Sequence, residues 1–146
     1  MDMAEQNFAN HVRWVPAYHF FVMPVMALNF GWSIYRLKVA NFSLDAFVGV
    51  LVAAALVTLT LYARMFALAV QNRVIRLEER MRLERLLPAD LKPRIGEFTC
   101  GQLVAMRFAC DAELPALARK VLTDNIQAGK TIKQMVQNWR ADYLRA

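Results

Sequence analysis

The residues whose types could do chemistry are few and lie far apart. His19 falls within a long apolar run, where an imidazole could ligate haem, relay protons or touch a quinone. A bis-histidine haem site needs a second imidazole in the same apolar surroundings, and His11, the other histidine, precedes the run. A hydrogen bond from His19 to Tyr62, Thr58 or a backbone carbonyl is the plainer reading. Arg64, at the far end of a second apolar run, can snorkel to headgroups. A polar patch of His19, Tyr62 and Arg64 that takes an anionic lipid is the sharper expectation. Cys100 and Cys110 form neither a CxxC nor a Cys/His cluster, so zinc and thioredoxin-like chemistry have no signature here. The chain has no Gly-rich phosphate loop, HExxH, GxSxG or paired carboxylates. The expectation is a non-enzyme with no catalytic residue, no metal and no cofactor.

The elements that would position these residues are helices, most of them apolar. Of 146 residues, 58% are hydrophobic, above the roughly 45 to 50% of soluble domains, and the excess lies between residues 14 and 70. Charge is distributed the other way. Only Arg13, Arg36 and Lys38 precede Arg64, balanced by Asp2, Glu5 and Asp45, so the remainder carries the whole net charge of +6. Beside apolar spans, such a basic excess reads as retention in the cytoplasm and contact with anionic headgroups rather than as nucleic-acid binding.

The sequence predicts an all-α protein in three parts. Residues 1–13 are a polar lead, acidic rather than Lys/Arg-rich and so unlike a signal peptide. Residues 14–70 are a two-span transmembrane hairpin, with spans at about 15–35 and 44–66. Pro24 should kink the first span, Trp32 and Tyr35 suit an interface, and RLKVANF is the connecting loop with Ser43 as N-cap of the second span. The loop contains Arg36 and Lys38, whereas Arg64, Arg73, Arg76, Arg80, Arg82 and Arg85 follow the second span. Both termini are therefore expected in the cytoplasm. Antiparallel register places Ala27 and Gly31 level with Ala53 and Gly49, two small-xxx-small steps that permit close helix approach.

Residues 71–146 are expected to be a cytoplasmic stalk and a small helical unit. No Pro or Gly falls between the apolar and the charged halves of Leu44 to Leu87, so the second span continues as an amphipathic helix until Pro88. Ala63, Ala67, Val70, Val74, Leu77 and Met81, spaced 4, 3, 4, 3, 4, form a short coiled-coil seam whose partner is either intramolecular or a second subunit. Three short helices follow. TCGQ (Thr99 to Gln102) opens the first as a capping box, Asp111 caps the second, and TIKQ (Thr131 to Gln134) opens a third that carries Ile132, Val136, Trp139 and Tyr143. This unit is too small to fold reliably alone and should pack on the stalk.

The stretches EQNFANHVRWVPAYHFF, QNRVIRLEERMRLERLLPADL, QLVAMRFACDAELPALARKVL and IKQMVQNWRADYLRA resemble a family of small, uncharacterised bacterial two-span membrane proteins, a domain-of-unknown-function family. Asn72 stands where that family has an acidic residue, and Cys110 where it has Ser. The resemblance implies a bacterial inner membrane and carries over no functional residues. The leading expectation is a membrane-anchored accessory or scaffold protein that contacts another membrane protein or its own copies, with Arg76, Arg80, Arg82, Trp139, Arg140 and Tyr143 as contact residues. Alternatives are an oligomeric channel or transporter component, and a quinone- or haem-associated subunit centred on His19.

Overall fold

The structure, a computed structural model, describes residues 6–143. It is all-α: apart from one isolated antiparallel bridge, Ala109 with Trp139, the regular structure among the described residues is helical. The chain divides into two compact units. One is Arg13–Leu68; the other joins the N-terminal segment up to Val12 with the chain from Ala69 onward.

The Arg13–Leu68 unit begins with a π-helical stretch, Ala17–Val22, that runs into α1, Met23–Val39. Pro24 explains the wide turn. Proline has no N–H to donate, and its ring would collide with the carbonyl four residues earlier, so the preceding backbone opens to i→i+5 bonding, as in Met23 N–H to Tyr18 O. The helix extends past the expected loop start and reverses over Ala40–Ser43, where Asn41 and Phe42 take φ of 48° and 60°. Asparagine tolerates that left-handed conformation far better than phenylalanine does. Ser43 Oγ then accepts the Ala46 N–H at 3.4 Å, the expected cap of α2.

Helix α2 is a single element, Leu44–Leu86. It is the one described helix long and apolar enough to cross a membrane, and almost none of its most apolar stretch is buried. A second span is not recovered on the same test, because the π-helical stretch leaves α1 with only 17 residues.

The second unit has an ordinary buried core. Leu83 and Leu87 at the end of α2 meet Leu91, Ile95 and Phe98 of the connector, which contains a 3-10 turn at Lys92–Glu97. Around them pack α3 (Cys100–Met106), α4 (Leu114–Thr123) and α5 (Gly129–Met135). In α4 the buried positions Leu114, Leu117, Ala118 and Val121 follow one helical stripe. Thr99 and Gln102 form the expected capping box, and Gln102 Nε2 also donates to Ile126 O at 2.9 Å, which ties the start of α3 to the end of α4.

Two expected helix starts are corrected. Helix α4 is preceded by Glu113 without a side-chain cap, because Asp111 is engaged by Arg82 instead. Helix α5 starts at Gly129 after an uncapped Ala128, so Thr131 lies inside it. It also stops at Met135, and its extension to Trp139 runs through bends at Gln137 and Asn138. Tertiary bonds hold that extension: Glu113 Oε2 accepts the N–H groups of Gln137 and Asn138, Cys110 N–H bonds Asn138 O, and Arg140 N–H bonds Phe108 O.

Candidate functional site

Within the Arg13–Leu68 unit, no hydrogen bond, ion pair or ring contact among the described residues joins His19, Tyr62 and Arg64. His19 Nδ1 lies 3.0 Å from Val15 O, and its ring packs edge-on against Trp14 and Tyr18. Tyr62 packs on Phe66, and Arg64 is half-buried without a hydrogen bond or ion pair among the described residues. The group that ties the two helical segments together is Tyr18, whose hydroxyl donates to Thr60 O at 2.7 Å. An aromatic residue within an apolar run gave no sequence signal for that role.

The small residues serve less as a seam than expected. Ala53 is buried, but Ala27 is exposed, and a Cβ added to Gly31 or Gly49 would meet nothing within 4 Å. The close backbone approach is therefore absent at both glycines. An open groove of about 490 Å³ lies beside Gly49, lined also by Asn29, Trp32, Ser33, Arg36 and Asp45. Ser33 Oγ donates to Asn29 O at 2.8 Å, which satisfies the serine inside its own helix.

In the other unit the charged residues fall into an internal set and an external set, and Arg82 belongs to the internal one. This corrects its grouping with the contact residues. Arg82 shares a helix face with Ile75, Glu79 and Leu83, and its side chain is only 5% exposed. Its guanidinium donates through Nε to Asp111 Oδ1 (2.7 Å), through Nη1 to Glu79 Oε2 (3.2 Å) and through Nη2 to Ala109 O (2.6 Å). Burial raises the Glu79 carboxyl above its ordinary value of 4.5, while the Arg82 and Arg140 charges pull it down. The hydrogen bond from Arg82 holds the exposed Asp111 carboxyl below its ordinary 3.8. Arg107 forms a second bridge: Nε donates to Asp142 at 2.9 Å, Nη1 donates to Val104 O, and the guanidinium covers the Phe108 ring at 4.3 Å.

Sequence reasoning missed what holds the N-terminal segment. Gln6 Oε1 accepts the Asp142 N–H at 2.9 Å. His11 stacks on Phe8, meets the rings of Phe108 and Trp139 at 5.8 Å each, and sits 3.1 Å from Lys133 Nζ. Residues 6–12 thus form a strap across the C-terminal helices.

On the outside, Arg76 is exposed and Arg80 half-buried, with Arg80 Nε lacking a hydrogen-bond partner. Trp139 is half-buried against Phe108 at 4.9 Å and bonds Val136 O, so it supports the fold more than it presents a surface. Arg140 and Tyr143 are exposed. The seam residues Val70, Val74, Leu77 and Met81 are all exposed as well. The core takes the Ile75 face of α2, so the seam has no intramolecular partner among the described residues.

A family model described as a family of unknown function (DUF6526) matches residues 3–146. No curated protein and no solved structure matches the chain.

Proposed function

Because the chain belongs to the DUF6526 family, whose function is unknown, we propose from its own geometry that it is a membrane-anchored, non-enzymatic scaffold. Residues 13–68 form a two-span anchor in a bacterial cytoplasmic membrane, and the end of α2 with the C-terminal helices forms a docking unit on the inner face.

The single observation that carries this reading is the strap. The apolar unit is an insertion: the chain leaves the other unit at Val12 and rejoins it at Ala69. Contacts of Gln6 with Asp142 and of His11 with Lys133, Phe108 and Trp139 hold the departure point to the body that α2 rejoins. A segment that starts and ends at one water-soluble body can cross a bilayer only an even number of times. Residues 17–39 are continuously helical and long enough for one crossing, and the first part of α2 supplies the other. Phe20, Phe21, Leu28, Leu51 and Leu59 are exposed, which water disfavours and acyl chains accept. The basic excess beyond Arg64 favours the cytoplasm for both ends.

Fractionation tests the anchor. The full chain is expected in the membrane pellet, resistant to alkaline carbonate and released by detergent; recovery in the soluble fraction would defeat the reading. Reversal of charge at Arg76 and Arg80 tests the docking unit. It should abolish co-purification of a bound protein without releasing the chain from the membrane, and unchanged co-purification would count against the scaffold role.

A further inference from the structure

The exposed seam on α2 is an apolar face that the fold leaves uncovered. Val70, Val74, Leu77 and Met81 are 63%, 50%, 62% and 67% exposed. At 100° per residue they centre roughly 135° around the helix from the face that Ile75, Glu79 and Arg82 bury. We propose that this face is the contact with a second copy of the same chain, as a short, parallel, two-stranded coiled coil.

Three observations select that occupant. The first concerns lipid. Hydrocarbon takes about 20 residues of α2, reaching about residue 64, and Met81 lies a further 25 Å or so along the axis. No Pro or Gly between Val50 and Leu87 supplies a kink that would lay this part on the membrane surface. The seam is therefore in water, where an apolar stripe calls for a protein.

The second is the packing chemistry. The 4, 3, 4 spacing places Val74 and Met81 at a positions and Val70 and Leu77 at d positions. A β-branched residue at a followed by leucine at d favours two parallel strands.

The third is charge complementarity. Arg73 at g and Glu78 at e are both exposed. In a parallel pair, Arg73 faces Glu78 of the partner subunit, and the pairing is repeated by symmetry. One heptad on, Arg80 faces Arg85 of the partner subunit, a charge already offset by Asp111 at 3.5 Å from Arg85. An antiparallel pair would place Arg73 and Arg80 from both copies on the same edge. Two copies anchored in one membrane, as the scaffold reading has it, are held parallel. The seam spans under three heptads, so membrane confinement, which raises effective concentration, would contribute to pairing.

Cysteine cross-linking of the full chain in native membranes tests this. In a background with Cys100→Ser and Cys110→Ser, mild oxidation should convert Leu77→Cys to a disulfide-linked dimer and leave Arg76→Cys monomeric. Arg73→Glu or Glu78→Arg alone should lower the dimer fraction about two- to fivefold, and the double swap should restore it. Equal cross-linking at residues 76 and 77, capture of a different protein by Leu77→Cys, or failure of the double swap to restore dimer would each overturn the proposal. Carbonate extraction of the same samples separates the two readings. A monomeric chain that stays in the pellet refutes the dimer alone, whereas a chain in the supernatant refutes the anchor.

Discussion

Replacing Arg82 with alanine should unfold the C-terminal unit at a far lower denaturant concentration than any other arginine substitution on α2. Arg82 is the sole hydrogen-bonded cation within 3.5 Å of Glu79, whose side chain is only 6% exposed, and its Nη2 holds Ala109 O. Stranding a buried carboxylate costs about 3 to 5 kcal/mol, and orphaning a buried carbonyl about 1 to 3 kcal/mol. Two reliefs reduce the total. Glu79 can take a proton, since burial already raises its pKa, and Arg140, at 3.9 Å, can move closer. A net loss of about 3 kcal/mol is expected, which lowers a urea midpoint by about 2 M for a unit of this size. The assay is urea titration of the full chain in detergent, with Trp139 as reporter in a Trp14→Phe, Trp32→Phe background. Trp139 packs on Phe108, so its emission should follow loss of this core. Arg85→Ala is the control. Arg85 is 71% exposed and 3.5 Å from Asp111, so its loss should cost under about 0.5 kcal/mol. A loss below about 1 kcal/mol for Arg82→Ala, or equal losses for the two variants, would refute the assignment of Arg82 as the internal keystone.

Three further outcomes follow from the same unit. Glu79 has a raised folded pKa, so its contribution is fully present below its ordinary 4.5 and is lost as pH rises through the folded value. The stability of the native chain relative to Glu79→Gln should accordingly fall as pH is raised from 4.5, and a flat difference by urea titration would contradict this. Asp111 has a lowered pKa, so its contribution is present above its ordinary 3.8 and is lost as pH falls through the folded value. Asp111→Asn should therefore differ from the native chain near neutral pH and converge with it in acid. Thr99→Ala should cost about 1 kcal/mol by loss of the cap at Gln102 N–H, and Gln102→Ala more, because Ile126 O also loses its donor.

Helix α2 was legible because its signals are local: unbroken helix-compatible residues from Leu44 to Leu86, a serine before it and a proline just after. The capping box at Thr99 was legible for the same reason. The look-alike TIKQ was misleading, because the course of the chain after Met135 is set by bonds to Glu113, Cys110 and Phe108, which lie 24 to 32 residues away. Arg82 shows a related limit. The segment from Val70 to Leu87 carries two apolar stripes, and the one with better heptad spacing faces out, whereas the one bearing Ile75 and Leu83 faces in. Spacing finds stripes but does not rank them, and Arg82 had to be assigned by which stripe the core uses. At the small residues, Gly31 and Gly49 make close approach sterically possible, yet nothing fills the space beside them.

The central claim is that residues 13–68 cross a bilayer twice and that both flanking segments share one side. Labelling of intact cells with a membrane-impermeant maleimide tests it most directly, with single cysteines placed by Asn41→Cys in the turn, Asn7→Cys in the strap and Asn125→Cys after α4, in the Cys100→Ser, Cys110→Ser background. Residue 41 is expected to be labelled in intact cells, and residues 7 and 125 only after permeabilisation. Labelling of residues 7 and 125 from opposite sides would contradict it.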